Sequence, residues 1–175
     1  MEHKKYMSRA YALAIAAGKK GFDTFGALLV SDGKILEEAE NTQDYEKGVF
    51  AHAEFNLVRK CAGKYPDEVL KNAVVYTSCA PCERCLAAIA SVGVQKIVYG
   101  VSYEAFSRLT PFDSVPIDRE ELYRQLGVNL TLTGPVLEDE GMHVFEYWGG
   151  EYRKLEELIS EMDEIRKNMN RPDAN

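Results

Sequence analysis

Apolar residues along this chain recur with two different periods, and these periods predict helices and strands in turn. In the first twenty residues the apolar positions have helical spacing, which predicts an amphipathic helix; they are Met7, Tyr11, Ala14 and Ala17. The turn pair Asp32-Gly33 separates an apolar run at 26–30 from a partly alternating run at 35–39. Two such runs around an Asp-Gly turn are typical of a β-hairpin.

The middle of the chain alternates between helical and buried-strand patterns. A helix is expected to begin near His52 and to reach Cys61, and Pro81 suits the first turn of another that ends at Gly93. Short buried strands are expected at 74–77 and 96–100. The later segments are predicted to be irregular at 100–116, helical at 118–126, extended at 129–133, helical at 142–148, and helical again with an apolar stripe that starts at Tyr152.

This order of elements predicts an α/β fold, a three-layer α-β-α domain with a mixed central sheet and a C-terminal helical tail. The chain has 175 residues, of which 46% are hydrophobic, and this suits one domain with a substantial core. We assign residues 1–150 to that domain. Residues 151–175 are assigned to a C-terminal amphipathic helix and a frayed tail.

Charge and cysteine content limit the function classes. The formal net charge is -7 and the acidic residues are spread along the chain, whereas binding to a phosphate backbone requires a basic surface. Four cysteines, some with metal-ligand spacing, indicate a reducing compartment, so a cytoplasmic location is expected. No stretch reaches the roughly 20 apolar residues of a membrane span.

Two short motifs carry the chemistry: His52-Ala53-Glu54 and the cysteine pair Cys82 and Cys85. One imidazole and two thiolates are ligands that Zn²⁺ prefers, and three protein ligands leave a fourth position for water, as in catalytic sites. The two cysteines are three residues apart, which puts both on one face of a helical first turn. The positive end of the helix dipole there favours thiolate over thiol.

Glu54 is too close to the histidine in sequence to be incidental. We interpret it as a proton carrier that acts first as base and then as acid, rather than as a ligand. Water activated beside such a carboxylate can attack an electron-poor carbon that bears an exocyclic amine, and this reaction is hydrolytic deamination. The motif predicts one Zn²⁺ per chain.

Other metal sites remain open at this stage. Cys79 would close a structural zinc site as a fourth ligand. Cys79, Cys82 and Cys85 also form a C-x2-C-x2-C run of the iron–sulfur type, although no fourth cysteine follows in a suitable place. We interpret Cys79 as a buried thiol at a strand end and Cys61 as a core residue.

The paired motif resembles the zinc-dependent cytidine/deoxycytidylate deaminase superfamily, and within it the branch of guanine deaminase and tRNA adenosine deaminase. The similarity runs from about 25 to 113, and it implies a cytidine-deaminase-like fold over residues 1–150. It also implies the roles of the site residues. These are His52, Cys82 and Cys85 as metal ligands, Glu54 as proton shuttle, Asn41 as a contact to the substrate base, and Phe25, Ala53 and Asp113 as pocket residues.

The chain departs from that pattern at several positions. Thr24 and Ala80 replace a proline and a glutamate, and small residues at 90–91 replace an aromatic of guanine deaminase. The C-terminal aromatic that completes a neighbouring subunit's site in guanine deaminase has no clean match; the candidates are Tyr147, Trp148 and Tyr152. For Asn41 and Asp113, a role as an ordinary turn residue is the alternative interpretation.

These observations leave three function classes. The first is a deaminase of a small aminated heterocycle, chiefly a free nucleobase that is guanine-like or is isocytosine or cytosine, with a nucleoside deaminase as a variant. The second is a tRNA-specific adenosine deaminase, which the negative charge disfavours. The third is a non-catalytic zinc scaffold closed by Cys79. A homodimer without nucleic acid or membrane is expected, and the sequence leaves open whether residues 102–116 close as a lid.

Overall fold

The computed structural model describes residues 2–44, 48–111 and 117–169. Its centre is a five-stranded sheet with the strand order β2-β1-β3-β4-β5. The first three neighbours in that order pair antiparallel and the last three pair parallel, so the sheet is mixed, as predicted. The strands are β1 (Gly26–Ser31), β2 (Lys34–Glu40), β3 (Val74–Cys79), β4 (Lys96–Val101) and β5 (Thr131–Thr133).

Helices precede, separate and follow these strands. Among the described residues, none of them combines the length and the apolarity that crossing a membrane requires. The helices are α1 (Glu2–Lys19), α2 (Ala53–Cys61), α3 (Asp67–Asn72), α4 (Glu83–Ser91), α5 (Tyr103–Ser107), α6 (Arg119–Gln125), α7 (Glu138–Met142) and α8 (Leu155–Met169). A 3-10 turn (His143–Glu146) and a small hairpin of β6 (Tyr147–Trp148) and β7 (Glu151–Tyr152) lie between α7 and α8.

The sheet is covered on both faces, which confirms the three-layer prediction. Strand β1 is buried along its whole length because its side chains alternate between two cores. Leu28 belongs to the core beneath α1 and the 3-10 turn, whereas Leu29 belongs to the core beneath α2 and α4. The apolar stripe of α1 that the sequence predicts is buried, and Met7, Tyr11 and Ala14 belong to the first of these cores.

Most of the predicted elements are present, and some boundaries differ. The helix predicted at 118–126 is present as α6, and the Asp118 side chain caps it by accepting a hydrogen bond of 2.9 Å from the Glu121 amide. The stretch 100–116 is not irregular throughout, since β4 extends to Val101 and α5 follows it. Helix α3 was not predicted. It has six residues and only Leu70 buried, so its apolar pattern is weak.

The prediction of a helix at 142–148 is wrong in its second half. Helix α7 ends at Met142, and the chain then passes through the 3-10 turn into β6. Gly149 and Gly150 have positive φ angles of 60° and 88°, which allow a tight turn that pairs Trp148 with Glu151. Tyr152 therefore belongs to β7, and α8 begins at Leu155.

Helix α8 packs back on the same chain. Its Arg166 guanidinium donates hydrogen bonds to the backbone carbonyls of Ser107 and Thr110, the latter at 2.7 Å. Between α8 and the rest of the protein lies an apolar cavity of about 190 Å³. Its lining includes Phe106, Phe145, Trp148, Leu158 and Met162.

Helix α1 approaches the sheet closely at Gly26, the first residue of β1. A Cβ atom at this position would lie 2.5 Å from the Ala10 carbonyl oxygen and 2.6 Å from the Ala14 amide nitrogen. Both neighbours are helix backbone, which cannot move aside locally. A side chain at 26 would therefore push α1 away from the sheet.

We expect Gly26→Ala to lower the free energy of unfolding by about 1–3 kcal/mol, the usual range for an overpacked core. Urea denaturation followed by circular dichroism measures this change. Gly48→Ala is the matched control, because the nearest heavy atom to a Cβ there is the Ala51 Cβ at 3.8 Å. Equal stability of the two variants would show that α1 does not depend on contact at Gly26.

Candidate metal centre

The two motifs lie at the beginnings of two helices that pack against each other on one face of the sheet. His52 directly precedes α2 and Cys82 directly precedes α4, and both have extended backbone with ψ angles of 154° and 166°. Cys85 is one turn into α4 and is fully buried. The structure thus brings the amino termini of two helices together at one point.

The distances between the three ligand atoms match those of a tetrahedral metal site. The two Sγ atoms are 3.5 Å apart, and His52 Nδ1 lies 3.5 Å from Cys85 Sγ and 3.8 Å from Cys82 Sγ. Tetrahedral Zn²⁺ with its usual bond lengths requires about 3.8 Å between two sulfurs and about 3.6 Å between sulfur and nitrogen. The residues therefore fit zinc without rearrangement of their backbone.

Hydrogen bonding within this group favours a thiolate. The hydrogen bond with the Cys85 thiol, followed by that with His52, lowers the pKa of Cys82 to about 3. The same Cys82 contact, together with burial, raises the pKa of Cys85, so the two sulfurs share a proton. Contact with Cys82 also raises the pKa of His52. The Cys82 sulfur is thus favoured as a thiolate, the form in which it would hold a cation.

Glu54 lies inside the site rather than at its rim. Its side chain is buried, one carboxylate oxygen is 2.6 Å from Thr77 Oγ1, and the other is 3.5 Å from Cys85 Sγ. Burial raises the pKa of Glu54, and the hydrogen bond from Thr77 opposes that shift. The carboxylate is therefore close to the metal ligands and has an environment suited to binding and releasing a proton.

The far side of His52 faces solvent and a positive charge. Arg84 Nη2 lies 3.3 Å from His52 Nε2, and the guanidinium also lies 5.7 Å from the ring centroid of Phe50. The two ring nitrogens therefore have different neighbours. Nδ1 faces the thiols and Nε2 faces the exposed Arg84.

The backbone around His52 connects to three of the four predicted pocket residues, Phe25, Asn41 and Ala53. The Asn41 backbone N–H donates to the Phe25 carbonyl at 3.0 Å. The next backbone N–H, that of Thr42, donates to the carbonyl of Ala51, the residue before His52. Ala53 is buried as the first residue of α2. The fourth, Asp113, lies outside the described residues.

Asn41 is buried, and its side chain makes backbone contacts. Its Nδ2 atom donates to the Asp23 carbonyl at 3.1 Å, and its Oδ1 atom accepts from the Gln43 amide at 3.3 Å. These bonds hold the side chain in one orientation. Since an amide oxygen accepts two hydrogen bonds, Oδ1 retains acceptor capacity for a ligand.

The remaining cysteines occupy the predicted environments. Cys79 is buried at the end of β3, and burial raises its pKa. In the part of the chain that the structure describes, the ligand atoms of His52, Cys82 and Cys85 all lie within 4.8 Å of one another and Cys79 is not part of that group. Cys61 lies in the second core.

Sequence reasoning missed several residues that shape the site. Thr77 was overlooked, although a threonine in an otherwise buried strand that leads into a cysteine motif is a signal that could have identified it. Asn56 was also overlooked; its Nδ2 atom contacts the carbonyls of Glu40 and Ala51 at 2.9 and 3.2 Å, which joins the end of β2 to the start of α2.

The C-terminal aromatic candidates are now distinguishable. Trp148 packs edge-on against the Phe25 ring with 5.6 Å between centroids. The departure at Thr24 has a structural use, because its hydroxyl donates to the Tyr147 carbonyl and thereby fastens β6 beside Phe25. Trp148 therefore lies next to a predicted pocket residue of its own chain.

Comparison with known proteins agrees with this geometry. The family described as "Cytidine and deoxycytidylate deaminase zinc-binding region" matches residues 1–101, more than half of the chain. Guanine deaminase of Bacillus subtilis (strain 168) is 33% identical over 59% of this chain and 67% of its own length. A tRNA-specific adenosine deaminase of Agrobacterium fabrum is 31% identical over 57% of this chain and 65% of its own.

A solved structure gives the same relationship. The X-ray structure of guanine deaminase from Bacillus subtilis superposes with a TM-score of 0.54 and 26% identity, over 73% of this chain and 93% of that one. The family match contains both motifs, His52 to Glu54 and Cys82 to Cys85. The chain therefore belongs to the cytidine and deoxycytidylate deaminase family, whose class is that of the zinc-dependent hydrolytic deaminases, as its paired motifs predict.

Proposed function

We propose that this protein binds one Zn²⁺ at His52, Cys82 and Cys85 and deaminates a free nucleobase, guanine-like bases first and one-ring analogues such as isocytosine and cytosine next. The observation that carries the proposal is the convergence of three ligand atoms within 4.8 Å beside the buried carboxylate of Glu54. A structural zinc site has no need of a buried carboxylate that is held beside the ligands but is not one of them. A catalytic site does.

The metal would be held by one imidazole and two thiolates and, when bound, supplies Lewis-acid activation of water. The remaining work falls to the protein. Glu54 accepts a proton from the attacking water and delivers it to the ring nitrogen of the substrate; it then takes the remaining proton of the added hydroxyl and passes it to the departing amine. A carbon–oxygen bond forms at the carbon that carries the amine, the carbon–nitrogen bond breaks, and ammonia leaves.

Thr77 has a defined part in this proton transfer. Its hydroxyl donates to one oxygen of Glu54 and thereby leaves the other oxygen, the one near Cys85, to exchange protons. A buried carboxylate without such a donor would carry the full cost of desolvation when it ionises. Thr77 therefore lets Glu54 alternate between its two protonation states in a dry environment.

Two observations support the substrate assignment. Asn41 offers an amide oxygen of fixed orientation, which suits the edge of a base. Phe25, whose carbonyl accepts from the Asn41 backbone N–H, has its ring held by edge-on contacts with Phe106, Phe145 and Trp148, with centroids 5.6 to 5.8 Å apart. An oriented polar group together with a fixed aromatic ring suits a planar heterocycle.

A tRNA-specific adenosine deaminase is the second candidate, because the chain is also similar to enzymes of that name. The net charge of -7 speaks against it, since affinity for a polyanion comes largely from lysine and arginine contacts to phosphate. We therefore rank the free base above tRNA.

The metal assignment predicts a clear division among the cysteines. The purified protein should contain about one zinc per chain, and His52→Ala, Cys82→Ala and Cys85→Ala should each lose most of it, since each removes one of three protein ligands. Cys79→Ala is the matched control and should keep its zinc. Metal content after dialysis, measured by mass spectrometry of the metal, tests this; equal loss from Cys79→Ala would contradict the ligand set.

Replacement of Glu54 should separate catalysis from metal binding. Glu54→Gln preserves shape and the contact with Thr77 but cannot carry a proton, so turnover should fall on the order of 10²–10⁴-fold with zinc content unchanged. Ammonia release and zinc content are measured on the same preparation. Glu68→Gln, an exposed acid in the first turn of α3, is the control. Undiminished turnover in zinc-loaded Glu54→Gln would remove this residue from the mechanism.

The substrate assignment predicts an order of activities. Ammonia release should be fastest with guanine, then isocytosine and cytosine, and slow with cytidine, dCMP and an anticodon stem-loop RNA. Asn41→Ala should lower kcat/KM for the best base about tenfold or more, because an unpaired polar edge of a buried ligand is costly.

Asn72→Ala is the matched control, since Asn72 ends α3 and its side chain bonds only locally, to the Glu68 carbonyl at 2.9 Å. Asp113→Ala tests the remaining pocket prediction on the same bases. Fastest turnover of dCMP would overturn the free-base assignment. Inosine formation in the stem-loop would instead put the tRNA candidate first.

A further inference from the structure

Three side chains from α5 and α6 bind the short turn that contains Cys82. This turn, Pro81–Glu83, links β3 to α4 and has the metal-ligand candidate at its centre. The Tyr103 hydroxyl donates to the Pro81 carbonyl, and the Tyr123 hydroxyl donates to the Glu83 carbonyl at 2.6 Å. The carbonyl groups on both sides of Cys82 are therefore tied to elements outside the motif.

A third side chain, Arg119, contacts both the turn and Tyr103. Arg119 makes an ion pair of 2.9 Å with the Glu83 carboxylate, and its guanidinium carbon lies 3.5 Å from the centroid of the Tyr103 ring. The Arg119 side chain is only 11% exposed, whereas that of Glu83 is 47% exposed. Arg119 is thus held against Tyr103 and fixes the first residue of α4 from the protein side.

Tyr103 and Tyr123 belong to helices rather than to a loop. Tyr103 comes two residues after Val101, the end of β4, which pairs with Cys79 at the end of β3. Ser102 caps α5 by accepting from the Ala105 amide at 3.1 Å, which fixes the backbone at Tyr103. Tyr123 is 6% exposed in the core beneath α4.

The helical hydrogen bonds of α4 do not by themselves satisfy the Pro81 carbonyl. The Cys82 carbonyl accepts the first helical hydrogen bond, from Leu86 at 2.9 Å, but the Pro81 carbonyl lies before the helix and takes its partner from Tyr103. Two hydroxyls therefore set the direction in which Cys82 leaves the backbone. Groups that orient a metal ligand in this way typically change metal affinity 10- to 100-fold.

We infer that Tyr103, Tyr123 and Arg119 are positioning residues for the metal centre, which hold Cys82 at its distance from Cys85 and His52 before metal arrives. The inference rests on the proposed metal site. It goes beyond the ligand set, because it assigns a role in metal affinity to α5 and α6, which lie after the region matched by the family.

The test is a titration of the metal-free protein with Co²⁺, followed by the thiolate-to-cobalt absorption, in the wild type and in Tyr103→Phe, Tyr123→Phe and the double variant. Each single variant should weaken Co²⁺ binding about tenfold, and the double variant more. The matched control is Tyr65→Phe, whose hydroxyl bonds to the Leu36 carbonyl at 3.1 Å on β2, away from the motifs. Its affinity should equal that of the wild type.

Thermal melting of the metal-free proteins separates positioning from folding. The tyrosine variants should melt like Tyr65→Phe while binding Co²⁺ more weakly. Arg119→Met keeps an apolar side chain but removes the ion pair to Glu83, the cation–π contact with Tyr103 and a hydrogen bond to the Ile117 carbonyl, so it repeats the test without the loss of a hydroxyl.

Wild-type Co²⁺ affinity in the two tyrosine variants and in Arg119→Met would overturn the inference, as would weaker binding only in proteins whose metal-free form has melted. Failure of the wild type itself to bind Co²⁺ through its thiolates would instead overturn the proposed metal site. The two failures are therefore distinguishable in one experiment.

Discussion

Burial of a carboxylate beside two sulfurs is the constraint on which the rest of this site depends. An ionised Glu54 in a dry environment is costly unless a donor faces it, and the donor is Thr77, in the centre of the sheet. That contact requires the first turn of α2, which packs on β1 and β2, to reach β3. The same placement brings the start of α2 to the start of α4, which follows β3 in the chain. The helix-on-sheet packing and the chemistry are thus two aspects of one arrangement.

Sequence patterns predicted the parts of the chain that carry strong local signals. The hairpin has an Asp-Gly turn, α1 has a long apolar stripe, and α2 and α4 begin at the motifs, so each could be located without tertiary information. The family and the three-layer fold followed from them. Short elements such as α3 and α5 were missed because six or five residues show little periodicity, and β6 was taken for helix because its strand character comes from the turn at Gly149-Gly150.

The sequence predicted the metal-ligand candidates and Glu54, but not the aromatic residues that surround Phe25. The ligand candidates and Glu54 lie within residues 1–101, where the family match fixes their spacing. Phe106, Phe145 and Trp148, which surround Phe25, come from later segments with no motif of their own. Their contacts depend on how the C-terminal third folds back, and no local pattern encodes that. The two sequence motifs therefore predict the reaction class. The shape of a substrate pocket, in contrast, depends on the tertiary structure.

The central sheet also has two protected edges, and this affects how the protein behaves at high concentration. The outer strand β2 carries acidic side chains that pair with an arginine of α1, with the lysine that follows α1 and with a lysine after α2; the acids are Glu37, Glu38 and Glu40. At the opposite edge β5 has only three residues, and the Glu120 carboxylate accepts from its Leu132 amide at 2.5 Å. Charged and short edges discourage the addition of a strand from another molecule. The fold thereby protects its open sheet from edge-to-edge aggregation.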